Sequence, residues 1–292
     1  MINNINKFSN ILLYLYKKIN NINIHCSPGF FNIKEELIYL IKNCLNLKFK
    51  NNINNILISK ENINKIISLF NIRIKKRIPI QYILNKSLYY GLNIFINKNV
   101  IIPRSSIGEF IKNKKINKII KKYPKKILEL CTGSGCISIL LSKLYKKSKI
   151  EASDLYNKVL KITNINIKKY KIKNIKVIKS NLFKNINNKY NLIITNPPYV
   201  NLNNFKKLPK EYKYEPYNSL YGGIDGLKFI NKILKESYNY LEKNGILICE
   251  VGNNYKLLIK KYPNIKFNWI KTKNKQNKIF FIKKEKINLI NK

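Results

Sequence analysis

Aspartate, arginine and histidine are nearly absent from this chain. Its 292 residues include two aspartates (Asp154 and Asp225), three arginines (Arg73, Arg77 and Arg104) and one histidine, His25. The five cysteines, Cys26, Cys44, Cys131, Cys136 and Cys249, contain no Cys-x-x-Cys pair, and with a single histidine they predict no metal site. An odd cysteine count and first residues without a secretory pattern predict reduced thiols and a cytoplasmic location. No apolar run approaches membrane-spanning length, so no membrane partner is expected. Internal repeats and Ser/Pro linkers are missing too. Acidic residues number 14 against 58 Lys+Arg, a net charge of +44. A charge of that size is a nucleic-acid signal. Here lysines carry it, spread over segments that read as solvated helix faces, beside an excess of Ile, Asn, Tyr and Phe that AT-rich codons give. Codon bias explains much of it and leaves an attraction to RNA or a ribosomal surface open.

Apolar residues make up 45% of the chain, enough for a sizeable core in one large domain or two smaller ones. Residues 1–86 read as a helical domain: Leu37, Ile38, Leu40, Ile41, Cys44 and Leu45 recur at helical spacing, as do Ile63, Ile66, Ile67 and Phe70. Pro79 breaks that pattern. Leu88 to Tyr90 and Leu92 to Ile96 alternate around Gly91 and predict a strand pair connecting the domains over 87–100. In residues 101–292 strands and helices alternate. Strands are expected at Ile127–Leu130, Lys149–Ser153, Lys176–Ile178, 190–195 and Gly245–Val251, with helices at Cys136–Tyr145, 156–170 and 226–242. This is an α/β pattern, a doubly wound and mostly parallel sheet. Phe267–Ile270 and Lys278–Ile282 add an antiparallel edge pair.

Asn196-Pro197-Pro198-Tyr199 is the most informative stretch. Two prolines directly after a buried strand cannot continue a sheet, so they form a stiff loop at its carboxyl end. In open α/β sheets ligands bind there. Asn196 offers an amide oxygen and the Pro197 carbonyl a second acceptor. Two acceptors on a rigid loop can grip a planar –NH2 group and aim its nitrogen, and Tyr199 can stack on a flat group. The pattern suits a substrate amide or an exocyclic base amine; a plain Pro-rich turn is the alternative.

Glu129-Leu130-Cys131-Thr132-Gly133-Ser134-Gly135-Cys136 follows the first strand of the sheet and opens a helix. Glycines there let the backbone approach a ligand. A dinucleotide fingerprint needs glycine or alanine where this chain has Ser138, which disfavours a pyrophosphate. Asp154, at the end of the second strand, is placed to hold ribose hydroxyls; capping the next helix is its alternative role. A nucleoside without pyrophosphate, a glycine loop and an Asn-Pro-Pro-Tyr loop together suggest S-adenosylmethionine.

These segments resemble the class I (Rossmann-like) methyltransferases with an Asn-Pro-Pro-Tyr motif. Within them the chain is similar to the protein-(glutamine-N5) methyltransferases. The quoted motifs are joined by Arg77-Ile78-Pro79-Ile80-Gln81-Tyr82, Pro103-Arg104-Ser105-Ser106-Ile107-Gly108-Glu109, Leu208-Pro209-Lys210-Glu211-Tyr212, Gly223-Ile224-Asp225-Gly226-Leu227 and Glu250-Val251-Gly252-Asn253. They occur in family order from about 77 to 283. Ser105-Ser106-Ile107-Gly108-Glu109 and Cys131 point to the branch acting on large-subunit ribosomal protein L-three. The sister enzymes of release factors usually carry Pro-Glu-Thr-Glu and Gly at those places.

The resemblance implies S-adenosylmethionine as cofactor, bound by Cys131, Thr132, Gly133, Ser134, Gly135, Asp154, Asn181, Leu182 and Asn196. It implies that Asn196 and the Pro197 carbonyl hold the two N–H bonds of a substrate glutamine, with Pro198 and Tyr199 beside them, so that Asn196, Pro197 and Tyr199 carry the transfer. Expected partners are L-three and, through the charge, ribosomal RNA or an assembling ribosome. Asn181 stands where the family usually has Asp, which predicts weaker cofactor binding. Lys273–Asn277 replaces a Gly-Gly turn, so that hairpin is expected to be longer or looser. The competing functions are methylation of release factors, N6-adenine methylation of nucleic acid, and RNA binding without catalysis. An adenine enzyme should carry a target-reading domain, which this sequence does not display. An RNA-binding module should ignore the cofactor and bind with a steep salt slope.

Overall fold

A computed structural model describes residues 6–20, 22–47, 53–272 and 278–288. It divides into two compact units, residues 1–86 with 208–215 and residues 87–207 with 216–292. The short segment 208–215 thus folds with the helical unit. The expected hairpin turn at 273–277 lies outside the described residues.

The helical unit is built on α1 (Phe8–Asn20), α2 (Ile33–Cys44) and α3 (Lys60–Lys76). Each buries one stripe: Phe8, Ile11, Leu15 and Ile19 from α1, Leu37, Leu40, Ile41 and Cys44 from α2, Ile63, Ile66 and Phe70 from α3. Burying such side chains stabilises by about 1.5–3 kcal/mol each. The Asn32 side chain caps α2 by accepting from the Glu35 N–H, and Ser59 does the same for Asn62 in α3. Arg77 closes α3 in a left-handed conformation, and Pro79 prevents its continuation.

One guanidinium is buried in this apolar core. Arg73 is 1% exposed and meets Glu36 at 2.5 Å and the His25 carbonyl at 2.6 Å. Its other side faces Glu211, 3.4 Å away, which Arg77 also holds at 2.7 Å. Burial pushes the Glu211 carboxyl up, but the Arg77 hydrogen bond and both guanidiniums outweigh it and hold the carboxyl below its usual range. A buried charge survives only when paired in this way.

In the second unit β1 (Lys86–Tyr89) and β2 (Leu92–Phe95) form the expected hairpin. The main sheet contains β3 (Lys126–Leu130), β4 (Lys149–Asp154), β5 (Ile175–Lys179), β6 (Tyr190–Thr195), β7 (Leu241–Glu250), β8 (Asn268–Trp269) and β9 (Ile279–Lys283), in the order β5-β4-β3-β6-β7-β9-β8. β3 to β7 run parallel and β9 antiparallel to β7. Helices Cys136–Leu144, Asn157–Lys169 and Lys228–Tyr240 cross between strands. β6 and the end of β7 are almost continuously apolar, as strands covered on both faces must be. β5 lies at the sheet edge and carries Lys176 and Lys179, charges that discourage edge pairing. β7 begins at Leu241, earlier than the sequence pattern indicates, and its register shifts between Tyr190 and Leu192 on β6. Among the described residues no helix is long and apolar enough to cross a membrane.

Candidate active site

The register aligns the carboxyl ends of four strands. Leu130 pairs with Ser153 and Thr195, and Thr195 with Cys249. The next residues, Cys131, Asp154, Asn196 and Glu250, therefore emerge along one edge. Chain order reverses there, because β3 lies between β4 and β6. Such a switch point opens a crevice above the strands. A cavity of about 400 Å³ occupies that edge, within the usual range for small-molecule sites.

Its floor is the glycine loop, of which Cys131, Thr132, Gly133 and Ser134 line the cavity. Gly133 and Gly135 have φ of +56° and +78°. A Cβ on Gly133 would meet nothing within 4 Å, so that backbone is open to a ligand. A Cβ on Gly135 would come within 2.9 Å of Thr163, which makes this glycine a packing requirement at the start of helix Cys136–Leu144. Helix Asn157–Lys169 pins the loop: Thr163 Oγ1 donates to the Gly133 carbonyl at 2.8 Å and Asn166 Nδ2 to the Ser134 carbonyl at 2.9 Å. Cys131 also has a positive φ, +56°, a backbone region that favours glycine. Burial pushes the thiols of Cys131 and Cys136 up, Cys136 to about 12, so neither is a nucleophile at neutral pH.

Two carboxylates stand on this wall. Asp154 Oδ2 accepts from the Gly133 N–H at 3.0 Å and Oδ1 from the Leu155 N–H at 2.8 Å. It ties the loop to β4 and does not cap helix Asn157–Lys169, whose N-cap is Tyr156. The carboxylate keeps lone-pair capacity for a ligand hydroxyl. Burial raises its carboxyl against three backbone N–H bonds. Glu129, 1% exposed, also lines the cavity and accepts from Thr132 Oγ1 at 2.7 Å and the Ser138 N–H at 2.9 Å. Burial pushes it up to about 7 although these bonds pull it down. Asn181 and Leu182, after β5, complete this side.

The other side is the Asn-Pro-Pro-Tyr loop. Asn196 and Pro198 line the cavity; Pro197 is buried beside them. Asn196 Oδ1 is buried and has no hydrogen-bond partner. An unpaired buried acceptor costs about 1–3 kcal/mol, and this one lies on a residue that lines the cavity. Tyr199, expected to stack on a flat substrate group, turns elsewhere. Its hydroxyl donates to Glu250 Oε1 at 2.9 Å and its carbonyl accepts from Asn254 Nδ2 at 2.6 Å. The glycine clusters explain this packing. A Cβ on Gly222, Gly226 or Gly252 would come within 2.6, 2.4 and 2.5 Å of Tyr199 atoms. The Pro-Pro loop is thus seated on three bare backbones. Asp225 has a local role: its Oδ1 accepts from the Leu227 N–H at 2.8 Å and its Oδ2 meets Lys261 at 3.7 Å.

Sequence reasoning missed several walls: Glu129, Arg104, Ser105, Tyr156, Tyr217, Tyr221 and Phe229 line the cavity too. Arg104 and Ser105 lie in a motif the resemblance had quoted without giving it a role. The tyrosines carry no signal in a chain with 20 of them.

The family described as "Methyltransferase small domain" matches residues 115–208. The ribosomal protein uL3 glutamine methyltransferase of Francisella tularensis is 34% identical over 278 residues, 92% of this chain and 88% of that protein. The enzyme of the same name from Xanthomonas campestris is 34% identical over 219 residues, 75% of this chain and 71% of its own. Among solved structures the hMettl16 catalytic domain, in complex with a MAT2A 3′UTR hairpin, superposes with a TM-score of 0.53 at 14% identity, over 84% of this chain and 90% of that one. At that identity it shows the shared class I methyltransferase fold alone. The glycine loop, the Asn-Pro-Pro-Tyr loop and two relatives spanning most of the chain establish that this chain belongs to the ribosomal protein uL3 glutamine methyltransferase family.

Proposed function

We propose that the protein methylates the N5 nitrogen of a glutamine side chain in ribosomal protein uL3, using S-adenosylmethionine. The unpartnered, buried Oδ1 of Asn196 at the cavity wall carries this reading. The residues fit the cofactor. Asp154 would accept from a ribose hydroxyl, Asn181 and Leu182 would flank the base, Gly133 leaves room beside its backbone, and Glu129 would accept from the amino group. When bound, S-adenosylmethionine supplies a methyl carbon made electrophilic by its sulfonium.

An amide nitrogen is a poor nucleophile because its lone pair is delocalised into the carbonyl. Asn196 Oδ1 and the Pro197 carbonyl accept the two N–H bonds of the substrate glutamine and aim the nitrogen. With the cofactor held by the glycine loop, Asp154 and Asn181, its methyl would pass to that nitrogen as the sulfonium is neutralised, and the extra proton of the product amide would leave to water. Alignment and exclusion of water provide the acceleration, and no side-chain base is assigned. Tyr199 serves by holding the loop.

Residues 1–86 act as the substrate-recognition domain, 87–100 as connector and 101–292 as catalytic domain. The segment between Val200 and Tyr221 shares in recognition: it leaves the site at Tyr199, and 208–215 fold with the helical unit. The net charge of +44 favours a salt-sensitive encounter with uL3–RNA complexes in a cytoplasm. The test is methyl transfer from labelled cofactor to separated ribosomal proteins and release factors. Label in uL3 is expected. A higher kcat/KM on release factor would replace this substrate with the sister one, and label in RNA would replace the reaction class.

A further inference from the structure

We infer that Glu250 is a positioning residue of the methyl-transfer site, a buried strut that joins the Asn-Pro-Pro-Tyr loop to the 103–105 wall of the cavity. This inference rests on the transfer reaction proposed above. Glu250 ends β7, directly after Cys249, whose partner Thr195 precedes Asn196. Its side chain is 5% exposed. Both carboxylate oxygens are engaged by hydroxyls: Tyr199 donates to Oε1 at 2.9 Å and Ser105 to Oε2 at 2.6 Å. Ser105 is itself fixed, since its carbonyl accepts from the Tyr89 hydroxyl at 2.9 Å and its Oγ from the Ile107 N–H at 3.2 Å. Ser105 lines the cavity on one strand of chain and Asn196 on another, and Glu250 spans the two.

A carboxylate is a costly filler for a buried position. An apolar residue would pack there more cheaply, unless the separation of the two loops matters. Two charge-assisted bonds from rigid partners set that separation. The Tyr199 ring cannot swing to compensate, because it lies against Gly252, where even a Cβ would be 2.5 Å from the ring. Burial raises the Glu250 carboxyl, and the hydroxyls of Ser105 and Tyr199 oppose that rise, as expected for bonds that favour the charged form. The consequence falls on Asn196, three residues before Tyr199 on a chain stiffened by two prolines. A small displacement of its Oδ1 misaims the substrate nitrogen.

The test uses full-length Glu250→Ala, Glu250→Gln, Tyr199→Phe and Ser105→Ala. Three quantities are measured: kcat and KM on uL3, calorimetric Kd for S-adenosylhomocysteine, and amide hydrogen exchange by mass spectrometry. Glu250→Ala is expected to lower kcat roughly 30- to 100-fold with Kd within about twofold, on the scale of losing a positioning group. Exchange in the peptide covering 195–202 should rise about tenfold while peptides from β3 and β4 stay unchanged. Glu250→Gln keeps an acceptor for Tyr199 and should recover most of kcat. If Glu250→Ala does not fold, Tyr199→Phe and Ser105→Ala each remove one bond and should show smaller losses of the same kind. Unchanged kcat per folded molecule, or exchange that rises evenly through the sheet, would mean Glu250 only stabilises the fold and would overturn the inference. If the wild type does not methylate uL3, the function proposed above fails. The exchange arm then still decides: protection of 195–202 that is indifferent to Glu250 overturns the strut as well.

Discussion

The Asn254 side-chain amide donates to the Tyr199 carbonyl at 2.6 Å, and its Oδ1 accepts from Asn201 Nδ2 at 3.4 Å. One side chain thus holds the exit of the Asn-Pro-Pro-Tyr loop on both flanks of Val200. Tyr199 and Val200 are thus tied into the fold, whereas the buried Asn196 Oδ1 has no partner. Rigidity around an unsatisfied acceptor is how a site is organised before its substrate arrives.

That arrangement makes Asn196→Ala a separation-of-function change. Removing the orphaned oxygen relieves a desolvation cost of about 1–3 kcal/mol, so the melting temperature should hold or rise. The kcat on uL3 should fall roughly a hundredfold or more, and cofactor affinity should change little. Calorimetry, thermal melts and steady-state kinetics on one preparation check all three. A near-normal kcat would reduce the motif to a turn.

Gly252→Ala tests the seat of Tyr199. The φ of Gly252 is +59°, and a Cβ there would sit 2.5 Å from the Tyr199 ring. The left-handed backbone costs about 1–2 kcal/mol for alanine, and overpacking about 1–3 kcal/mol more. Destabilisation by a few kcal/mol in urea titration is expected, with kcat falling further than the unfolded fraction explains. An unchanged protein would mean that the ring moves freely.

Much of this was legible in the sequence for physical reasons. The central strands are buried on both faces, so Leu192-Ile193-Ile194 and Ile246-Leu247-Ile248 stand out as apolar runs. The glycines at 133 and 135 are needed for left-handed backbone, and two prolines after a strand have few other uses. Other parts were hidden. Arg104, Ser105, Tyr217 and Tyr221 reach the cavity only through the tertiary fold, and nothing in their local pattern announces it. The turn of Tyr199 toward Glu250 depends on a glycine more than fifty residues away. The placement of 208–215 with the helical unit rests on the pairing of Glu211 with Arg73 and Arg77, a long-range ion network that periodicity does not report.

Glu129 predicts a pH dependence. Its carboxyl is raised by burial to about 7, well above the ordinary carboxylate range. A raised folded-state value gives stability that is fully present below the unfolded value and lost as pH rises through about 7. A cationic ligand group beside it favours the ionised form, so affinity for S-adenosylhomocysteine should increase roughly tenfold between pH 6 and 8, with proton release below 7. Glu129→Gln should bind more weakly at pH 8 and lose the slope. Titration calorimetry in buffers of different ionisation enthalpy reads both. A slope that survives in Glu129→Gln assigns the proton elsewhere.

Asp154→Ala should weaken cofactor binding by about 1–3 kcal/mol, because it removes the acceptor that we assign to the ribose and also frees the Gly133 N–H. Asp154→Asn keeps an acceptor for Gly133 and should lose less. Equal losses in both variants would show that charge, not the tether, matters; no loss in either would remove Asp154 from the site.

The last prediction concerns substrate choice and follows from Glu211. This carboxylate is fully buried and held by Arg77 at 2.7 Å and Arg73 at 3.4 Å. It lies in the chain between Tyr199 and Tyr221, so the segment that leaves the Asn-Pro-Pro-Tyr loop is fastened among the helices that we assign to recognition. Glu211→Ala would leave Arg77 without this partner, and breaking a buried pair costs about 3–5 kcal/mol. Glu211→Gln keeps the shape and an acceptor while weakening the attraction, and is the variant to use. If the fastened segment helps to grip uL3, Glu211→Gln should raise KM for uL3 roughly tenfold and leave kcat and cofactor affinity close to normal. The preference for uL3 over release factor should narrow in a competition assay, since the loss falls on recognition. A lower melting temperature with KM and preference unchanged would confine Glu211 to stability and place recognition elsewhere in the chain.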